Sequence, residues 1–144
     1  MEDPRRGGKP ITSWQDLGVW KHAHGLVLMV YELARELPHD ERFRLIDQLC
    51  RAVMSVPTNI VEGKSRSSVK EYLQYLAIAR GSVEEVKYLL LLGKDLGYVR
   101  QERHAQVTAE CETVGRMLNG LMRALRLVAN PRTQVLGQTP PSET

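Results

Sequence analysis

Val69-Lys70-Glu71-Tyr72-Leu73-Gln74-Tyr75-Leu76-Ala77-Ile78-Ala79-Arg80-Gly81-Ser82-Val83-Glu84-Glu85-Val86-Lys87-Tyr88-Leu89-Leu90-Leu91-Leu92-Gly93 decides the fold. Within it Val69, Tyr72, Leu76, Ala79, Val83, Val86, Leu90 and Gly93 recur at alternating three- and four-residue steps. That spacing keeps one apolar seam on one side of a helix. Three further stretches step the same way. The first gives Trp20, Ala23, Val27, Val30, Ala34 and Leu37; the second gives Phe43, Ile46, Cys50, Val53, Pro57 and Ile60. The fourth gives Val107, Cys111, Val114, Leu118, Leu121, Leu125 and Val128. No stretch alternates as a strand would. The expected fold is therefore all-α, a four-helix bundle.

Punctuation supports four helices. Ser13 and Asp16 resemble a capping pair, and Pro38 ends the first helix. Asp40 and Glu41 suit the positive end of the second helix dipole. Gly63 reads as the stop of helix 2, Ser67 or Ser68 as the cap of helix 3, and Gly97 as its stop. Short connections predict an antiparallel, up-down-up-down order. Pro57 breaks the pattern, because a proline inside a helix removes a hydrogen bond and costs about 3 kcal/mol. A kink in helix 2 is expected there. It either wraps the helix around the core or shapes Pro57–Gly63 as a functional corner. Residues 14–129 form the bundle on this reading. Residues 1–13, a basic arm, and residues 130–144 carry proline, glycine and polar residues without apolar periodicity, and both are expected to be disordered.

Composition excludes several classes. The 144 residues are 42% apolar and 26% charged, a globular balance. The longest apolar run, Tyr88–Leu92, is far short of a membrane span, and no apolar stretch follows Arg5 and Arg6 to make a signal peptide. A cytoplasmic protein with no membrane partner is the expectation. Cys50 and Cys111 lack a metal or redox spacing and read as small core residues.

Catalytic patterns fail in turn. Gly63-Lys64-Ser65 would need a glycine where Thr58 stands, and a strand before it. Ser67-x-x-Lys70 sits where a serine caps and a lysine is solvated. His22 and His24 diverge on a helix, as do Glu84 and Glu85. The sequence thus predicts no enzyme, no cofactor and no metal.

Charge is more informative. The net charge is +3. Up-down-up-down order would gather Arg5, Arg6, Lys9, Lys21, Lys64, Arg66, Lys70, Arg123, Arg126 and Arg132 at one end, against Glu2, Asp3, Asp16, Glu62 and Glu71. From Thr113 to Ser142 there are four arginines, Arg116 among them, and no acid. Such a surface can hold phosphates by charge and bidentate guanidinium contacts. No interleaved aromatics suggest base stacking, so the expected binding has little sequence specificity. Surplus apolar residues lie beside the seams: Leu28 and Met29 on helix 1, and Ile78, Tyr88, Leu91 and Leu92 on helix 3. Exposed apolar patches mark partner surfaces, so a homo-oligomer is expected.

Three stretches carry a resemblance. They are Asp16-Leu17-x-Val19-Trp20-Lys21-x-Ala23-His24, then Gln48-Leu49-x-Arg51-Ala52 leading to Ser55-Val56-Pro57-Thr58-Asn59-Ile60-Val61-Glu62-Gly63, and Glu71-Tyr72-Leu73-x-Tyr75-Leu76-x-Ile78-Ala79-Arg80-Gly81-Ser82-x-x-Glu85. Together they resemble the four-helix bundle proteins first noticed as reading frames within intervening sequences of bacterial large-subunit ribosomal RNA genes. The resemblance implies homopentamers without catalytic residues. It also implies similarity to the accessory variability proteins of diversity-generating retroelements, which bind nucleic acid and a reverse transcriptase. Arg51, Ser55, Asn59, Glu62, Ser82 and Glu85 match the motif. Either they bind a partner or they brace the Pro57 corner. The expected function is a non-catalytic, homo-oligomeric nucleic-acid binder, with RNA the expected target. The alternative is a protein scaffold docking on a reverse transcriptase.

Overall fold

A computed structural model describes residues 13–129. A single 3-10 turn, Trp14–Asp16, leads into α1, Gly18–Ala34. A second 3-10 turn, His39–Glu41, and a π-helical turn, Arg42–Ile46, lead into α2, Asp47–Lys64. Helices α3, Val69–Asp95, and α4, Gln101–Ala129, complete the bundle. Among the described residues there is no strand.

The core is one cluster threaded through all four helices. Its fully buried side chains include Leu26, Val30 and Leu33 of α1, Val53, Val56 and Ile60 of α2, Leu76, Val83 and Leu90 of α3, and Leu118 of α4. Each stabilises the fold by roughly 1.5–3 kcal/mol relative to exposure. Cross-helix pairs show how the helices align. His22 meets Glu110 and Glu32 meets Arg103. Gln48 meets Glu85 and Ser55 meets Ser82. Arg80 meets Asn119 and Lys87 meets Glu112. In each set, partner numbers fall on one helix as they rise on the next.

Every position of the α3 seam except half-buried Val69 is buried. The α2 seam needs correction. Phe43 is 81% exposed, and Ile46, Cys50 and Pro57 are half-buried. Leu45, Leu49, Ala52 and Val56 take the core positions instead. The physical cause is the π-helical turn at Arg42–Ile46, whose wider winding displaces the register before α2 begins. The seam of α4 also drifts. Met122 is buried while Leu121 and Leu125 are half-buried and Val128 is exposed. A straight α-helix slips about 20° per heptad against a 3.5-residue repeat, so the buried stripe moves one residue on.

The helix ends are partly corrected too. Ser13 makes no side-chain cap, and Leu17 stands at the N-cap of α1. Ser68 does cap α3, its Oγ accepting from the Glu71 backbone N–H at 3.1 Å. Gly97, at φ +82°, turns the chain after α3 in a conformation that favours glycine. Gly63 does not stop α2. It lies inside the helix, where a Cβ would come within 2.9 Å of Tyr72 Cδ1 and Tyr75 Cβ. It is the point of close approach between α2 and α3. The Tyr72 hydroxyl beside it is buried without a hydrogen-bond partner among the described residues, and that burial pushes its pKa up. Helix α2 runs through Pro57 to Lys64.

Candidate nucleic-acid interface

Six of the seven described residues assigned to nucleic-acid binding are exposed. They are Lys21 on α1, Arg66 in the α2–α3 junction, Lys70 on the first turn of α3, and Arg116, Arg123 and Arg126 on α4. Lys64, in the last turn of α2, is half-buried. Arg5, Arg6 and Lys9 lie outside the described residues. Over residues 113–129, α4 carries three arginines and no acid. Arg126 also stands in the last turn, where the negative end of the helix dipole favours a cation.

Two arginines are held in place. Arg66 lies over the Tyr75 ring at 4.7 Å and donates to its hydroxyl at 2.7 Å. Arg80 was not among the residues singled out by charge. It donates from Nη1 to Asn119 Oδ1 at 3.1 Å. Asn119 follows Arg116 by three residues and precedes Arg123 by four, so all three are neighbours on the surface of α4. The α3–α4 flank thereby gathers Arg80, Arg116 and Arg123. No local signal marks Arg80, because only the packing of α3 on α4 brings it there.

The other end of the bundle is mixed in charge. Arg44 pairs with Glu41 at 2.8 Å, and Arg103 with Glu32 at 3.8 Å. A cavity of about 780 Å³ there is lined by Glu36, Tyr98, Arg100, Glu102, Arg103 and Gln106.

Motif residues collect between α2 and α3. Ser55 Oγ and Ser82 Oγ share a hydrogen bond of 2.8 Å. Asn59 Nδ2 donates to the Ser55 carbonyl at 2.7 Å and to Ser55 Oγ at 3.0 Å. Gln48 donates to Glu85 at 2.7 Å. Arg51 pairs with Asp47 along α2 at 3.1 Å. The carbonyl that Pro57 leaves without its helical partner is that of Val53. Thr58 and Asn59 donate to the next two, Met54 and Ser55.

Four of the six residues named as apolar surplus, Leu28, Ile78, Tyr88 and Leu91, are exposed, and so are Tyr31, Met54, Leu96 and Leu127, which the sequence reading did not name. Met29 and Leu92 are half-buried and pack against the core. Tyr88 and Leu91 share a cavity of about 340 Å³ with Glu84, Lys87, His104 and Thr108.

A third cavity opens between α1 and α2. Trp14 and Trp20 meet edge to face, with ring centroids 4.8 Å apart. Trp20 stacks on His24 at 5.1 Å, the rings 5° from parallel. Pro57, Thr58, Val61 and Glu62 complete a groove of about 360 Å³. The sequence reading missed it, since the two walls are more than thirty residues apart in the chain.

Titratable chemistry is sparse. Cys111 is buried and its thiol is pushed up to about 12, chiefly by loss of solvation. Cys50 is raised by burial and then by Asp47. Neither thiol favours the nucleophilic thiolate. The hydrogen bond that Lys87 donates to Glu112 leads the rise of the Lys87 pKa. Among the described residues, no group of histidine, cysteine or carboxylate side chains could hold a metal, and no helix is long and apolar enough to cross a membrane.

The fold and surface define an all-α four-helix bundle with an arginine-bearing, acid-free stretch on its last helix. The chain belongs to the 23S rRNA-intervening sequence protein family, which it matches over residues 15–120. It is similar to the crystal structure of a protein of unknown function from the S23 ribosomal protein family of Bacteroides thetaiotaomicron. The TM-score is 0.68 at 20% identity, covering 72% of this chain and 97% of that one. That likeness shows the fold. No curated protein matches the chain.

Proposed function

We propose that the protein is a non-catalytic, homo-oligomeric bundle that binds nucleic acid, RNA above all, through its basic surface. One observation carries the reading. The last turns of α4 expose Arg116, Arg123 and Arg126 without an acid, beside Arg80 of α3. Phosphate contacts of this kind fix affinity and leave sequence preference low. Exposed Leu28, Ile78, Tyr88 and Leu91 support self-association, for which the family resemblance implies a pentamer. The same side chains support a second reading, in which the bundle docks on a reverse transcriptase.

Anisotropy of labelled structured RNA tests the first reading. Affinity should fall steeply with salt, by a log–log slope of roughly 0.9 per phosphate contact. Absence of binding at low salt would end it. Light scattering tests assembly, and a 16.3 kDa particle at micromolar concentration would contradict it.

A further inference from the structure

The geometry points to the Trp14–Trp20–His24 groove as a seat for one unstacked nucleobase of single-stranded RNA, guanine being the best chemical match. This inference rests on the nucleic-acid reading above and adds to it a base-reading element.

Three features carry it. The first is the planar wall. Trp20 and His24 are within 5° of parallel, so an aromatic stack already exists on α1 and a flat ring can extend it. His24 is exposed, which leaves part of that stack open to solvent. Trp14 closes one side. Pro57 and Val61 supply apolar surface from α2. Stacking on such platforms is how proteins hold single strands, since every base has a π face. A groove of about 360 Å³ lies near the small end of ligand sites, which run from roughly 300 Å³ upward.

The second is charge. Lys21 precedes His24 by three residues on α1. Lys64 follows Val61 by three and Pro57 by seven on α2. These spacings make each lysine a surface neighbour of a groove residue, one on either wall. A base in the groove would have a cation near the phosphate on each side of it.

The third is the rim. Glu62 lines the groove, and a carboxylate offers acceptors only. Guanine presents two adjacent N–H donors on its Watson–Crick edge, which match two carboxylate oxygens. Uracil presents one donor between two carbonyls and matches poorly. A cation could also sit between tryptophans and a carboxylate. The two flanking lysines oppose that occupant, and the parallel stack suits a plane better than a sphere.

Pro57 gains a role on this reading. Its ring costs α2 a backbone hydrogen bond and gives the groove an apolar wall.

The protein has its own probe, because its two tryptophans both line the groove. Tryptophan emission and RNA anisotropy are followed together at low salt, with the full chain and RNA 10-mers. Guanine-containing single strands should quench the emission, whereas a duplex of equal length should bind with little quenching. His24→Ala should weaken the single strand about tenfold and leave the duplex unchanged, the loss expected for one stacked base. Glu62→Gln should remove the preference for guanine over uracil. Circular dichroism confirms that both variants fold. Single-strand binding without quenching, and unaffected by His24→Ala, would overturn the groove while leaving the basic surface standing. No anisotropy change with either RNA would overturn both. Quenching by tetramethylammonium or a lysine-rich peptide, but not by RNA, would overturn the base in favour of a cationic partner.

Discussion

Among the described residues, the two ends of the bundle hold similar numbers of basic residues and use them differently. Toward the chain turn at residues 35–46, basic side chains are interleaved with acids. Arg44 is tied to Glu41, Arg103 to Glu32, and Arg51 to Asp47 nearby. Toward the α2–α3 junction, α4 runs from Thr113 to Ala129 without an acid, and Arg66 is fixed over a tyrosine rather than a carboxylate. The contrast teaches that net charge is a poor guide to binding. The +3 total hides a neutral end and a cationic end.

Charge reversal is the strongest way to break this comparison. Arg123→Glu with Arg126→Glu should weaken RNA binding on the order of a hundredfold at low salt and flatten its salt dependence. Arg42→Glu with Arg100→Glu, at the other end, should change it less than threefold by the same reasoning. Equal losses in anisotropy titrations would show that the two ends are not distinct.

Packing at the α2–α3 junction gives the next effect. Gly63→Ala places a Cβ 2.9 Å from Tyr75 Cβ, an atom that cannot swing aside. Urea unfolding should show a loss of about 1–3 kcal/mol. Gly81→Ala, with nothing within 4 Å on exposed α3, should instead stabilise by about 0.5–1 kcal/mol. If both glycines gave the same sign, the close approach at Gly63 would be wrong.

Both ends share the core around Cys111, and alkali probes it. Its folded pKa, about 12, stands above the ordinary thiol value of 9.0. Neutral Cys111 therefore supports the fold fully below pH 9, and that support is lost as pH rises toward 12. The loss is about 1.4 kcal/mol per pH unit at most. Cys111→Ala should be less stable at pH 8 yet lose less between pH 9 and 11. Parallel curves would exclude a buried thiol.

How much of this the sequence disclosed depends on distance along the chain. The α3 seam was legible because a helix packed between two neighbours keeps strict three–four spacing. The α2 start was not. A π-helical turn has no apolar signature, so Phe43 looked like core and Leu45 did not. The basic residues of α4 were legible as a run without acids. Arg80 was not, because its place depends on Asn119 of another helix. The tryptophan groove was hidden for the same reason. Trp20 read as a member of the first helical seam, and only the fold sets Pro57 and Val61 opposite it.

Capping gives the smallest effect and the sharpest local contrast. Ser13 and Ser68 both precede helical segments, and both read as caps. Of the two, Ser68 alone has a side-chain oxygen that accepts a backbone N–H, that of Glu71. The Ser13 side chain makes no cap bond, because a 3-10 turn and Leu17 intervene before α1. Ser68→Ala should therefore cost about 1 kcal/mol, and Ser13→Ala close to nothing. Ser68 also fixes the start of α3 beside Lys70 and Arg66. Its loss should fray that turn and show as faster amide exchange at Glu71 and Tyr72, with the Arg44–Glu41 end unchanged. Faster exchange at both ends would mean that the bundle unfolds as one unit, and the difference between its ends would then be one of charge alone.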